Sequence, residues 1–264
     1  MGFWRDRKQA PAGGWPKAPQ GRRAYAVGDI HGRLDLLDRL LADIDHDIAG
    51  RSAADTFVVF LGDLIDRGPQ SGEVIERLRT LRGKAFTPVF LLGNHEEVLL
   101  RLLAGERGLL VSWLRFGGAE CSQSYGLDPN QLIYLPEAEA IEALRAAVPA
   151  SHIEFLQTFI DTFRFGDYLF VHAGIRPGVE LAGQSQRDLR WIRAAFLDSQ
   201  ADHGFVVVHG HTIASEVVEQ RNRIGIDTGA YATGVLTAIG LEGGERWYMR
   251  TNATQAEQSA TLVD

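Results

Sequence analysis

Apolar positions between residues 24 and 103 follow two alternating spacings. The runs Ala24 to Val27 (AYAV), Phe57 to Leu61 (FVVFL) and Phe86 to Leu92 (FTPVFLL) are short and continuous, as in strands covered on both faces. After each run the spacing changes. Leu34, Leu37, Leu41, Ile44 and Ile48 recur every three or four residues, then Val74, Ile75, Leu78 and Leu81, then Val98, Leu99, Leu102 and Leu103. That is the period of one helix face. The order βαβαβα predicts an α/β fold with parallel strands joined by helical crossovers.

Beyond residue 105 the pattern is different. Residues 105–160 are mostly helical and turn-like, with Gly117-Gly118 and an alanine-rich helix over 138–147. Past 162 the chain becomes strand-rich. TFRF and YLFVH flank Gly166-Asp167 as a hairpin, and FVVVHG, RIGID, GVLTAIGL and RWYMR follow, with a second turn at Gly243-Gly244. There is no internal repeat. The expected organisation is one domain over 24–250 carrying a helical insertion at 105–160. A disordered, Pro/Gly-rich basic leader is expected at 1–23 and a flexible tail at 251–264.

Composition narrows this picture. Of 264 residues, 45% are hydrophobic, enough for a core. The single cysteine, Cys121, cannot form an internal disulfide and is expected to be a small buried hydrophobe. No apolar run approaches the ~20 residues of a membrane span, and the first residues lack the apolar segment of a secretory signal. Cytoplasm is therefore the expected location. The first 23 residues carry a net +5, which leaves −12 for the rest of a chain whose total is −7. An acidic body argues against a nucleic-acid partner. The sequence leaves the oligomeric state open, with a monomer as the expectation.

Candidate chemistry lies at the strand ends. The first three strands run into AVGDIHG, FLGDLIDRG and LLGNHE, which puts Asp29, His31, Asp63 and Asn94 at the carboxyl ends of parallel strands. In open α/β sheets that edge is where ligands bind. Asp29 to Asp63 is 34 residues and Asp63 to Asn94 is 31, each about one ~30-residue βαβ unit. LFVHAG and VVVHGHT add His172 and His211. A lone Gly-Asp after a strand is usually only a turn. Five such motifs in order, holding five of the eight histidines, point to a site. Carboxylate, imidazole and amide donors without thiolate suit Mn, Fe or Zn better than a pure magnesium site. Six donors suit two ions bridged by a carboxylate.

GDIHG, GDLIDRG, GNHE, HAG and GHT resemble the motifs of the calcineurin-like metallophosphoesterases. They resemble most the phosphoprotein phosphatase branch with its bacterial Ser/Thr phosphatase-like members, which keeps an Asp-Arg-Gly and a Glu after the histidine; here these are Asp66-Arg67-Gly68 and Glu96. The resemblance spans residues 24–240. It implies a metallophosphoesterase fold, two β-sheets packed as a central sandwich flanked by helices. It also implies two divalent ions, manganese foremost and iron or zinc as alternatives. Asp29, His31 and Asp63 would hold the first, and Asp63, Asn94, His172 and His211 the second, with Asp63 bridging.

Asp66 would be the partner of His95, whose raised pKa would suit it to protonate a leaving group. Arg67, Arg193 and Asn94 would contact the phosphate, with Arg193 favoured over Arg190 by the Trp-then-Arg pattern. His209 is expected nearby but secondary, and His46, His152 and His203 on the surface. Trp113, Tyr125 and Trp191 are either core or substrate contacts, and the insertion is expected to wall the metal edge. The implied activity is hydrolysis of phosphomonoesters, foremost phosphoserine and phosphothreonine in proteins, or of small phosphoesters. It would proceed by direct attack of a metal-bridging hydroxide, with no covalent phosphoenzyme. The alternative is dinucleoside polyphosphate hydrolysis, as in symmetrical bis(nucleosyl)tetraphosphatases, which typically lack the Asp of Asp-Arg-Gly and carry Asp in place of Glu96. A non-catalytic scaffold is the remote third reading, since such members lose the donors that are present here.

Overall fold

A computed structural model describes residues 16–81 and 85–251. Most of the expected leader and nearly all of the expected tail lie outside the described residues. The first half is β1 (Arg22–Val27), α1 (Leu34–Ala49), β2 (Asp55–Phe60), α2 (Ser71–Arg79), β3 (Thr87–Phe90) and α3 (Asn94–Leu103). Five short helices follow: α4 (Leu110–Trp113), α5 (Ala119–Ser124), α6 (Pro129–Tyr134), α7 (Glu137–Ala147) and α8 (Ala150–Leu156). The last part holds β4 (Thr162–Phe165), β5 (Tyr168–Val171), α9 (Gln186–Trp191), α10 (Ala194–Leu197), β6 (Val206–His209), β7 (Val218–Glu219), β8 (Arg223–Gly225), α11 (Ala230–Thr233), β9 (Thr237–Glu242) and β10 (Glu245–Arg250).

The strands form two five-stranded sheets, ordered β10-β9-β1-β2-β3 and β4-β5-β6-β8-β7. β1, β2 and β3 are parallel neighbours, as their crossover spacing predicts. The two-residue period of each strand then sorts its side chains. Tyr25, Val27, Val58 and Phe60 face the core under α1 to α3. Ala24, Ala26, Val59 and Leu61 face the second sheet and meet Tyr168, Phe170, Val206 and Val208. Leu169, Val171 and Val207 point the other way, onto Leu189 of α9, Ile192 just past it and Phe196 of α10. Both sheets are thus covered on both faces, which is why the central strands read as unbroken apolar runs.

β1 begins at Arg22, two residues before the expected start. Residues 16–21, expected within the leader, are ordered by backbone pairing. Ala18 N donates to Gly243 O (2.7 Å), and Asp167 N donates to Lys17 O (3.0 Å). The segment therefore joins the β9–β10 turn of one sheet to the β4–β5 turn of the other. His152, expected on the surface, is buried, with its ring bonded to Tyr125 Oη (3.0 Å) and Glu76 Oε2 (3.2 Å). It faces inward because α8 packs on α2. Cys121 is fully buried.

Candidate metal centre

The parallel register brings the tips of β1, β2 and β3 side by side, and the tips of β5 and β6 arrive from the second sheet. Two groups of donors form there. His31, Asp63 and His95 each offer an atom within 4.8 Å of the others, and so do Asp63, His172 and His211. Asp63 belongs to both. Asn94 joins the second group, its Oδ1 lying 3.0 Å from His172 Nε2. Asp29 sits at the same edge, its carboxylate accepting the His211 backbone N–H (3.0 and 3.2 Å). Asp29, His31, Asp63, Asn94, His172 and His211 therefore converge, all of them buried.

Backbone geometry shows how tightly these tips are turned. Among the described residues, five that are not glycine have positive φ: His31, Asp63, Asp66, Arg67 and His211. All belong to the strand-tip motifs. Each such conformation costs about 1–3 kcal/mol and persists where its surroundings enforce it. Gly93 answers a second demand. A Cβ there would stand 2.2 Å from Asp63 Oδ1 and 2.3 Å from its backbone nitrogen, so only glycine lets the third tip approach the second.

The protonation pattern fits divalent ions. His31 Nδ1–H donates to Ile65 O (2.7 Å), which directs its Nε2 lone pair inward, as the outer hydrogen bond of a ligating histidine does. His172 Nδ1–H donates to Leu61 O (2.8 Å), and burial opposes its charge while Asp63 favours it and raises its pKa. His31 Nε2 and His211 Nε2 are buried with no hydrogen-bond partner. Burial lowers the His31 pKa to about 3. Burial, joined by the charge of His172, lowers His211 to about 2. Both rings are therefore neutral and able to bind a cation. Asp29 is raised well above the usual carboxylate range by burial and by the neighbouring Asp227 and Asp63. Burial opposes the charge on Asp63 too, but His172 and His95 outweigh it and hold Asp63 well below that range. A buried, crowded set that joins two carboxylates to nitrogen and amide donors is one that cations complete.

His95, a member of the first group, has two further partners. Its Nδ1 lies 2.6 Å from Asp66 Oδ2 and its Nε2 3.2 Å from an Arg67 guanidinium nitrogen. Burial disfavours the imidazolium, yet Asp63 and Asp66 together raise its pKa to about 9. Arg67 is half-buried and lies over the Tyr231 ring, 4.9 Å from its centroid. Arg190 is engaged elsewhere, bonded to Asp161 (2.7 Å) and facing Glu97 (3.4 Å). Arg193 is exposed, has no ion pair among the described residues, and is near enough to His211 for its charge to help lower that ring. His209 closes β6, its Nδ1 3.0 Å from Gly210 O, and stays outside both donor groups.

Several neighbours escape sequence reasoning. Trp113 Nε1 donates to Asp66 Oδ2 (3.1 Å), and Arg67 N donates to Gly117 O (2.9 Å), so the helical segment does pack against the Asp66–Arg67 turn. Glu96 accepts the backbone N–H groups of Asp63, Leu64 and Gly93 (2.7–3.0 Å), fastening the second tip to α3. Asp227, just past β8, adds a buried carboxylate beside Asp29. The run RIGID had the signal that marked the other tips, a strand ending in an acid. The link from Trp113 to Asp66 has no local signal.

The sequence profile of calcineurin-like phosphoesterases matches residues 22–233. A symmetrical bis(5'-nucleosyl)-tetraphosphatase of Acidovorax sp. (strain JS42) is 35% identical over 153 residues, 58% of this chain. The chain spans only 44% of that relative's length. The crystal structure of a provisionally assigned diadenosine tetraphosphatase superposes with a TM-score of 0.62 at 20% identity, over 91% of this chain and 100% of that one. A serine/threonine phosphatase from Saccharomyces cerevisiae superposes at 0.50 with 14% identity, over 90% and 82%. These two likenesses speak for the fold alone. The matched profile runs through every motif from Asp29 to His211, and the chain belongs to the calcineurin-like phosphoesterase family.

Proposed function

We propose that this protein is a dinuclear phosphohydrolase that cleaves dinucleoside polyphosphates at a central anhydride bond. The observation that carries the chemistry is Asp63, shared by two buried donor groups and flanked by the His95–Asp66 pair. Bound divalent ions would supply a water nucleophile of lowered pKa and charge stabilisation on the phosphoryl oxygens, with Asp29, His31 and Asp63 holding one ion and Asp63, Asn94, His172 and His211 the other. The chain's own groups do the rest. Arg67 and Arg193 orient the phosphoryl oxygens, since a guanidinium matches two of them at once. His95 donates its proton to the departing oxygen, and Asp66 keeps the ring oriented and charged.

The substrate reading rests on the named relatives rather than on the donors, and it replaces phosphoserine and phosphothreonine as the first choice. Asp66 and Glu96 had favoured a protein phosphatase. Asp66 bonds the His95 ring and Glu96 the backbone of the second tip. Both contacts lie within the strand tips, so neither is offered as a substrate selector. One observation keeps the phosphomonoester reading alive: a strongly basic His95 helps an alkoxide leaving group more than a phosphate. The test is product release from metal-stripped protein with manganese restored, comparing diadenosine tetraphosphate with a phosphothreonine peptide. Two nucleoside diphosphates per turnover support the proposal. Faster peptide turnover would overturn the substrate and leave the chemistry standing.

A further inference from the structure

A cleft of about 890 Å³ opens between α3 and α9, within the size range of ligand sites. Both walls leave from the candidate centre. Asn94, Glu97 and Arg101 fall at i, i+3 and i+7 on α3, hence along one face, so the wall bearing Glu97 and Arg101 continues from a metal-edge residue. The opposite wall carries Arg176, four residues past His172, then Arg187, Asp188 and Trp191. It ends at Ile192, next to Arg193.

The lining has a definite chemical character. Its two carboxylates are already engaged. Glu97 accepts from Trp191 Nε1 (3.0 Å) and faces Arg190 (3.4 Å), while Asp188 takes both Arg176 nitrogens (2.5 and 2.9 Å) and the Ser185 hydroxyl (2.8 Å). Arg187 is exposed and has no ion pair among the described residues, which leaves the cleft a surplus of positive charge. Trp191 is fixed by its ring nitrogen yet 38% exposed. A tethered indole beside an unengaged guanidinium suits a flat aromatic base joined to a phosphate.

We propose that this cleft holds the half of a dinucleoside polyphosphate that lies beyond the cleaved bond, with its base on Trp191 and its phosphates on Arg187. The assignment rests on the substrate reading above. An extended peptide would want backbone partners, and the lining is instead made of side-chain cations and an aromatic ring.

The test compares KM for diadenosine tetraphosphate with KM for p-nitrophenyl phosphate in the wild type, Trp191→Ala and Arg187→Glu, with a phosphothreonine peptide measured alongside. Each substitution should raise the ratio of the two KM values about tenfold, as expected for the loss of one stacking or ionic contact. Arg187 is exposed, so its variant stays informative even if Trp191→Ala unfolds. Dinucleotide turnover with an unchanged ratio overturns the cleft assignment alone. Turnover of p-nitrophenyl phosphate without any of the dinucleotide overturns both this assignment and the substrate reading. A shift in KM confined to a phosphothreonine peptide would make the cleft a peptide site and overturn the nucleotide assignment.

Discussion

Arg23 and Asp63 are both almost fully buried on the first sheet, one near the start of β1 and the other just past the end of β2. Around Arg23 every partner is supplied by the chain. Its guanidinium donates to both Glu242 oxygens (2.8 and 3.1 Å) and to Ser52 O (2.7 Å). Beside it Asp47 accepts from Tyr25 (2.6 Å) and Arg51 (2.7 Å), and Arg51 stacks 3.5 Å over Trp247. Around Asp63 buried carboxyls crowd together, two imidazole nitrogens lack partners, and the backbone is strained. The first cluster is closed by folding except at Trp247 Nε1, which is buried without a partner. The second is shaped for something added afterwards, and that contrast separates a structural polar network from a functional one more reliably than burial does.

The largest break in this contrast should come from Asp63→Asn. Losing the carboxylate shared by both donor groups removes several kcal/mol of metal-dependent stabilisation, or about 10³–10⁴ in kcat at tenfold per 1.36 kcal/mol. Manganese should raise the melting temperature of the wild type, since it binds only the folded chain, and should do so far less in the variant. An undiminished thermal response would mean that Asp63 is not shared.

Next comes His95→Asn. Loss of a general acid costs about 10²–10⁴ in rate, and the loss should be greater for an alkyl phosphoester than for a dinucleoside polyphosphate, whose departing phosphate needs less protonation. Equal losses on the two would argue that His95 only binds the phosphate.

Arg23→Ala tests the finished cluster. Glu242 is 28% exposed and can be partly rehydrated, so the cost should fall below the range for a fully buried pair, at about 2 kcal/mol. That lowers the melting temperature by roughly 4–8 °C without changing kcat per folded molecule. A fall in kcat would show that the two clusters communicate.

The smallest effect concerns pH. Burial opposes the charged His95 ring, but Asp63 and Asp66 raise its pKa to about 9. The protonated form is the active donor, so alkyl-ester turnover should fall as pH rises through that value. Cations on Asp63 would move the limb lower by cancelling its charge. Asp66→Asn removes part of what holds the proton and should move the basic limb down by about one unit. A limb that stays in place would assign it to another group.

Much of the fold was legible because its signals are local. Strands covered on both faces read as continuous apolar runs, and AVGDIHG, FLGDLIDRG and LLGNHE each announce a turn that carries donors. The convergence of the three tips followed from crossover length. What escaped depends on contacts across the chain. Trp113 reaches Asp66 over 47 residues, and Arg190 is taken up by Asp161 over 29. His152 is buried because α8 lies on α2, and residues 16–21 are ordered by two turns more than 140 residues away. Asp227 carries the local signal of the other tips, a strand run that ends in an acid.

The segment at 16–21 fastens the two sheets at one end, where it joins the β9–β10 and β4–β5 turns. At the other end Asp63 and Asn94 come from the first sheet, whereas His172 and His211 come from the second. An ion held by all four would act as a rivet through both layers, closing the seam that the N-terminal stitch leaves open. A fragment bearing one sheet would lack half of those donors, so such an ion would report that the two sheets have docked in register.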